Sequence, residues 1–153
     1  MYKRQTKNSA VFKSDEYTIY TRLITGNYFP YQKMFTEGEI NTCASRTALI
    51  GAMTRAKMCT EEKQPAVFQI EDDVLNISIR DKLADYQEQV PLQETVCKSI
   101  RLGFDSRLVL ETLKAFTCDN IALGFTSPRT PMIVEAEDSD MKAMVLPVAI
   151  REA

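Results

Sequence analysis

The chain has 153 residues, a formal net charge of −2, 44% hydrophobic and 26% charged residues, a composition that supports one buried core in an ordinary soluble globular protein. It contains no histidine, which excludes Ser-His-Asp and Cys-His nucleophile pairs, His-ligated zinc and histidine proton relays. The four cysteines, Cys43, Cys59, Cys97 and Cys118, form no C-x-x-C pair, so they are expected to be small buried or half-buried thiols, with no metal or cofactor.

The apolar runs are too short to cross a bilayer and no signal segment opens the chain, so a cytoplasmic protein without membrane contact is expected. A slightly negative balance argues against a general nucleic-acid-binding domain. It leaves room for a protein that is acidic outside and basic along one inner face.

Residues 1–5 (MYKRQ) read either as translated non-native sequence or as a basic tail, and are left out of the fold reasoning. Residues 8–35 carry two strands around a polar turn at Ser14-Asp15-Glu16, the second running from Tyr17 to Ile24. A lone hairpin is marginal in water. Thr36-Glu37-Gly38 reads as a linker, giving a first segment 1–35 and a complete domain 36–153.

The second segment opens with a short strand and a helix over about Ser45–Met58. Ser45 is a good N-cap, and Leu49, Ala52, Met53 and Ala56 recur at helical spacing. Arg46, Lys57 and Arg55 flank that apolar face. Strands are expected at Ala66–Ile70 and Val74–Arg80, joined by a tight Glu71-Asp72-Asp73 turn, followed by a more polar strand over about Ala84–Cys97. Ile100, Leu102 and Phe104 then alternate with Arg101 and Gly103 as in a half-buried strand.

Asp105 is placed to cap a second helix, with Val109, Leu110, Leu113 and Phe116 on one face and Arg107, Glu111 and Lys114 on the other. Ile121, Leu123 and Phe125 restore the period of two. A final strand is expected to run into an apolar tail, Leu146-Pro147-Val148-Ala149-Ile150. Two helices among about eight strands give an α+β fold, with helices on one face of antiparallel sheet.

Five features in this order resemble the C-terminal part of the bacterial DNA polymerase beta sliding clamp family. They are Leu102-Gly103-Phe104, Val109-Leu110 with Leu113, the Ser127-Pro128 turn, the tail Leu146–Ile150, and an upstream match in RLITGNYFPYQKMF (Arg22–Phe35). The resemblance covers roughly residues 8–150 and implies the DNA-clamp fold, with residues 1–35 the truncated edge of a middle domain. It further implies a non-catalytic processivity subunit that closes into a homo-oligomeric ring around double-stranded DNA. Such a ring tethers the replicative polymerase and receives clamp-loader peptides without reading DNA sequence.

Matched residue by residue, a partner-peptide groove would use Arg129, Pro131, Met144, Leu146, Pro147, Val148, Ala149 and Ile150. The middle domain would add Phe29, Lys33 and Met34, near Pro30. An ungapped match sets Phe29 where the family usually has its groove proline, and Ala149 where it often has arginine. The bland alternative is that these side chains only finish the core, with alternation turning at least half of them inward.

The same resemblance makes Arg46, Arg55, Lys57, Arg107 and Lys114 candidates for a DNA-facing surface, against the alternative of a solvated helix face. Met58, Cys59, Tyr86 and Glu88 match its subunit interface, against a core cap and solvent edge. The acidic clusters Glu71-Asp72-Asp73 and Glu135, Glu137, Asp138, Asp140 are normal turn formers. They also carry the rival reading, a metal-dependent α+β enzyme using carboxylate ligands.

Overall fold

A computed structural model describes residues 2–59, 64–80, 85–136 and 140–150. The chain divides after Lys33 into two compact units, two residues ahead of the boundary read from the sequence.

The first unit is an antiparallel sheet of β1 (Tyr2–Gln5), β2 (Ser9–Lys13) and β3 (Thr18–Arg22), in that order. The Ser14–Glu16 reversal forms, with the Ser14 N–H donating to the Tyr17 carbonyl at 2.9 Å. Tyr2–Gln5, set aside in the sequence reading, pair in register with Ala10–Lys13. Ala10 is the one buried hydrophobic residue among the described residues of these strands. A 3-10 turn, Tyr31–Met34, follows.

The second unit is built on one antiparallel sheet with strand order β5-β6-β4-β7-β8-β9. These are β4 (Ile40–Ser45), β5 (Ala66–Arg80), β6 (Asp85–Phe104), β7 (Asn120–Phe125), β8 (Met132–Ala136) and β9 (Lys142–Val145). Helix α1 (Arg46–Met58) packs on β4, β5 and β6; helix α2 (Ser106–Ala115) packs on β9, and the helices on each other.

Both caps form as their side chains dictate. The Ser45 oxygen accepts from the Ala48 N–H at 3.4 Å, and an Asp105 oxygen accepts from the Arg107 N–H at 2.9 Å. Each satisfies a donor that the first helical turn would otherwise orphan. Leu49, Ala52, Met53 and Ala56 of α1 and Val109, Leu110 and Leu113 of α2 are buried. They meet Phe68, Leu75, Ile77, Leu102, Phe104 and Ile121 in one core. Phe68 and Phe104 touch edge to face, ring centroids 5.1 Å apart.

Three expectations about the strands need correction, and one about the cysteines. Glu71-Asp72-Asp73 does not reverse the chain: β5 runs straight through it, and the register against β6 shifts between Ile70 and Asp72 and again between Asp72 and Val74. Asp72 takes a φ of 53° there. Short polar side chains tolerate that left-handed conformation, so the cluster makes a bulge rather than a hairpin.

The polar strand and Ile100–Phe104 are likewise one strand, β6, whose Pro91 falls opposite Val74 at the irregularity. Proline has no N–H for a ladder, which suits it to such a site. Lastly, strand β9 ends at Val145, before the apolar tail. Cys97 is exposed, whereas Cys43 and Cys59 are half-buried and Cys118 is buried.

The Asp72 conformation yields a test by urea denaturation. Asp72→Gly removes the left-handed penalty and is expected to stabilise by up to about 1–2 kcal/mol. Asp72→Val adds a β-branch at positive φ and is expected to destabilise by about 1–3 kcal/mol. Equal stability of the two variants would exclude a strained bulge.

Candidate peptide groove, helix cations and edge network

The tail is one of the places where the second unit exposes apolar side chains. Val145 is the last buried side chain of β9 and pairs with Met132 of β8. Pro147 then interrupts, since it has no backbone N–H to offer a ladder. The next backbone bond is made elsewhere: the Val148 N–H donates to the Gly103 carbonyl at 2.8 Å, an isolated bridge to β6.

None of the five tail residues is buried. Leu146 is 57% and Val148 41% exposed; Ala149 is exposed, and Pro147 and Ile150 are half-buried. The expected inward half is absent because strand alternation does not extend past Val145. Met144, paired with Ile133, and Pro131 are half-buried beside this region of sequence. Arg129 is exposed on the Ser127–Thr130 turn, which the Ser127 N–H closes on Thr130 Oγ1 at 2.9 Å. These residues, with half-buried Met34, belong to the second unit. Phe29, Pro30 and Lys33 belong to the first, all three exposed, with the Phe29 carbonyl accepting from the Tyr31 N–H at 2.8 Å.

Sequence reasoning passed over Leu108. It is 51% exposed on α2, the helix that packs against β9. Its signal was an apolar residue one position beyond Arg107 and outside the buried stripe. An open concavity of about 1130 Å³ also lies on the face of β5 and β6 away from the core, with Gln69, Asn76, Gln87, Arg101 and Ile150 among its walls.

The five helix cations do not form one uniform row. Arg46 is half-buried and donates through Nε to the Cys118 carbonyl at 2.7 Å, tying the start of α1 to the segment after α2. Arg107 grips Asp105 at 3.2 Å, which lowers the Asp105 pKa from its ordinary value through that side-chain bond. Lys57 and Lys114 are exposed.

Arg55 joins residues assigned to a different role. Its Nε donates to Glu88 Oε2 at 2.8 Å and its Nη2 meets Oε1 of the same carboxylate. The Tyr86 hydroxyl reaches both Glu88 and the Ala52 carbonyl, the latter at 2.9 Å. Arg55, Tyr86 and Glu88 therefore lock the C-terminal half of α1 to β6. Met58, at the end of α1, is 81% exposed, and Cys59 caps the helix, its N–H donating to Ala56 at 3.1 Å.

The carboxylate clusters give no support to a metal-dependent enzyme. Glu71, Asp72 and Asp73 are exposed along the bulge, and Glu71 accepts from Gln69 Nε2 at 2.7 Å. Glu135 pairs with Lys142 at 2.8 Å and Asp140 is exposed, while Glu137 and Asp138 lie outside the described residues. Among the described residues no three such side chains gather as a metal site would require.

The network predicts a pH effect. Burial, then the bond to Glu88, hold the Tyr86 phenol above its ordinary value of 10.0. The unfolded phenol ionises first, so the stabilisation is complete below about pH 10 and is lost as pH rises further. Tyr86→Phe is expected to cost about 1 kcal/mol near neutral pH. The gap to wild type should narrow as pH rises above about 10; a gap that stays constant in denaturation titrations across that range would contradict the assignment.

Comparison with known proteins identifies the frame. The family described as "DNA polymerase III beta subunit, C-terminal domain" matches residues 34–149. A Staphylococcus aureus protein named beta sliding clamp is 24% identical over 146 residues, spanning 92% of this chain and 39% of its own length. Its Streptococcus pneumoniae serotype 4 counterpart is 23% identical over 149 residues, 94% of this chain and 39% of that protein.

Among solved structures, the DNA polymerase sliding clamp from Caulobacter crescentus superposes with a TM-score of 0.89 at 13% identity, covering 97% of this chain and 40% of that one. The Streptococcus pneumoniae DNA polymerase III beta chain gives 0.85 at 20% identity, covering 96% and 41%. At these identities the structures establish the fold, and the chain spans about two fifths of its relatives' length. With the family matched over residues 34–149, this chain belongs to the DNA polymerase III beta subunit family, through its C-terminal domain.

Proposed function

We propose that this chain is part of a sliding clamp, a non-catalytic cytoplasmic processivity factor. The whole subunit closes into a ring around double-stranded DNA and tethers the replicative polymerase. The observation that carries this reading is the family match over residues 34–149. A topological tether breaks and makes no bond, so a chain without histidine suits it.

Met144, Leu146, Pro147, Val148 and Ile150, with Pro131 and Arg129 near them in the fold's sequence order, serve as the partner-peptide surface. Apolar anchors held in place at a surface, with a polar rim, are what a short linear peptide from a polymerase or clamp loader needs. The exposure of the tail supports this over a purely structural role. Ala149 and Met34 keep the assignment that the family resemblance gives them.

Lys57, Lys114 and Arg107 serve as DNA-facing cations. Loose phosphate attraction suits a ring that must slide, because base contacts would hold it in one place. Arg46 bonds the Cys118 carbonyl and Arg55 bonds Glu88, which with Met58, Cys59 and Tyr86 serves as the subunit joint in this reading.

Two measurements test the reading. A fluorescein-labelled peptide with leucine anchors is titrated against the chain by anisotropy, with circular dichroism to check folding. Met144→Ala is expected to cost about 1–3 kcal/mol in affinity, and deletion of Leu146–Ala153 to abolish binding. A folded deletion that binds like wild type removes the groove. For DNA, binding to linear duplex is expected to be weak and indifferent to sequence. Each of Lys57→Ala and Lys114→Ala should reduce the log–log salt slope by about one. Tight, sequence-selective binding would contradict a sliding ring.

A further inference from the structure

We propose that Gly103 is a positioning residue for partner binding: its missing side chain sets the height at which the tail crosses β6, and so the affinity of the apolar surface. The proposal deepens the peptide reading above and rests on it.

The backbone around Gly103 is crowded. Its φ lies outside the left-handed region that only glycine favours, so backbone freedom does not require it. Space does. A Cβ at 103 would stand 2.8 Å from the Val148 carbonyl oxygen, 3.0 Å from Ile150 Cγ1 and 3.2 Å from Pro65 Cβ. The nearest of these is backbone, which cannot turn aside as a flexible side chain would. The three neighbours come from two sides: the tail twice, and Pro65, just ahead of β5, once.

The tail has little else to hold it. Between Val145, where β9 ends, and Ile150, the Val148–Gly103 bond is the backbone contact that ties it to the sheet among the described residues. Gly103 pairs with Val67 of β5 on one side, and the tail takes the edge that β5 leaves open. The same residue thus accepts the tail's bond and provides the room for it. A methyl group there must lift the tail, stretch the Val148 bond and shift Leu146, Val148 and Ile150 together. A peptide reads those three as a surface, so moving them in concert changes affinity without touching a contact residue.

The test uses the full chain, with two readouts that separate tail seating from general stability. Hydrogen exchange at the Val148 amide, measured by NMR, reports the seat directly. Anisotropy with the leucine-anchored peptide reports its effect on binding. For Gly103→Ala, Val148 protection is expected to fall at least tenfold while amides of β4 and β7 keep theirs, and peptide affinity to fall about tenfold.

Retained Val148 protection overturns the proposal, as does lost protection with unchanged affinity. If wild type binds no peptide, the peptide reading itself fails, and the exchange result still decides whether Gly103 seats the tail. Should Gly103→Ala not fold, Val148→Pro removes the donor of the same bond with Gly103 intact. It is expected to reproduce the loss of affinity, and tight peptide binding by that folded variant overturns the proposal equally.

Discussion

Phe104 packs edge-on against Phe68, and the surroundings of that contact set the geometry of the second unit. Three consecutive residues carry three separate demands there. Gly103 leaves room for the tail, Phe104 fills the core, and Asp105 caps α2. Moving the aromatic pair would displace a helix start and a tail seat at once. Interiors are packed densely enough that such a shift has no slack to absorb it. The short sequence Leu-Gly-Phe-Asp therefore couples the sheet, the second helix and the exposed apolar surface.

The two ends of the sheet's long hairpin serve different purposes. Near Asp85, a tyrosine, a carboxylate and an arginine fasten β6 to α1 through directional bonds. Near Phe104, apolar packing and one backbone bond hold the tail loosely enough to leave Leu146 and Val148 in water. A polar clasp resists shear through directional bonds, whereas a lightly held apolar strip leaves its side chains free to adjust. The cations on the helices fit neither role alone. Arg46 and Arg55 spend their guanidinium groups on internal acceptors, where rigid planar donors are most useful.

Much of this was legible in the chain. Both helices, both caps and their buried faces follow from side-chain oxygens at Ser45 and Asp105 and from helical spacing of Leu49, Ala52, Met53 and Ala56. Strand β7 follows from alternation at Ile121, Leu123 and Phe125. The acidic triplet misled because a turn and a bulge favour the same short polar residues; which one forms depends on the partner strand. Strand β6 was hard to read for a related reason. Its buried residues Leu92, Val96 and Ile100 fall four apart where it is irregular, so the two-residue period lapses. For the tail, apolar composition could not distinguish core from exposed surface, because the deciding fact, the donor missing at Pro147, acts through β8. The Arg55–Glu88 pairing joins residues 33 apart in sequence, and no local pattern announces it.

The bulge on β5 has a further consequence for solubility. This strand lies at the edge of the six-stranded sheet, 15 residues long, and its outer amides and carbonyls would template a foreign strand. Asp72, at positive φ, breaks the flat run midway. Glu71 and Asp73 stand exposed on either side of it. A second copy arriving edge to edge would meet a twisted segment and would have to bring carboxylates against carboxylates. The feature that spoils the ladder from within thereby guards the sheet against stacking into aggregates.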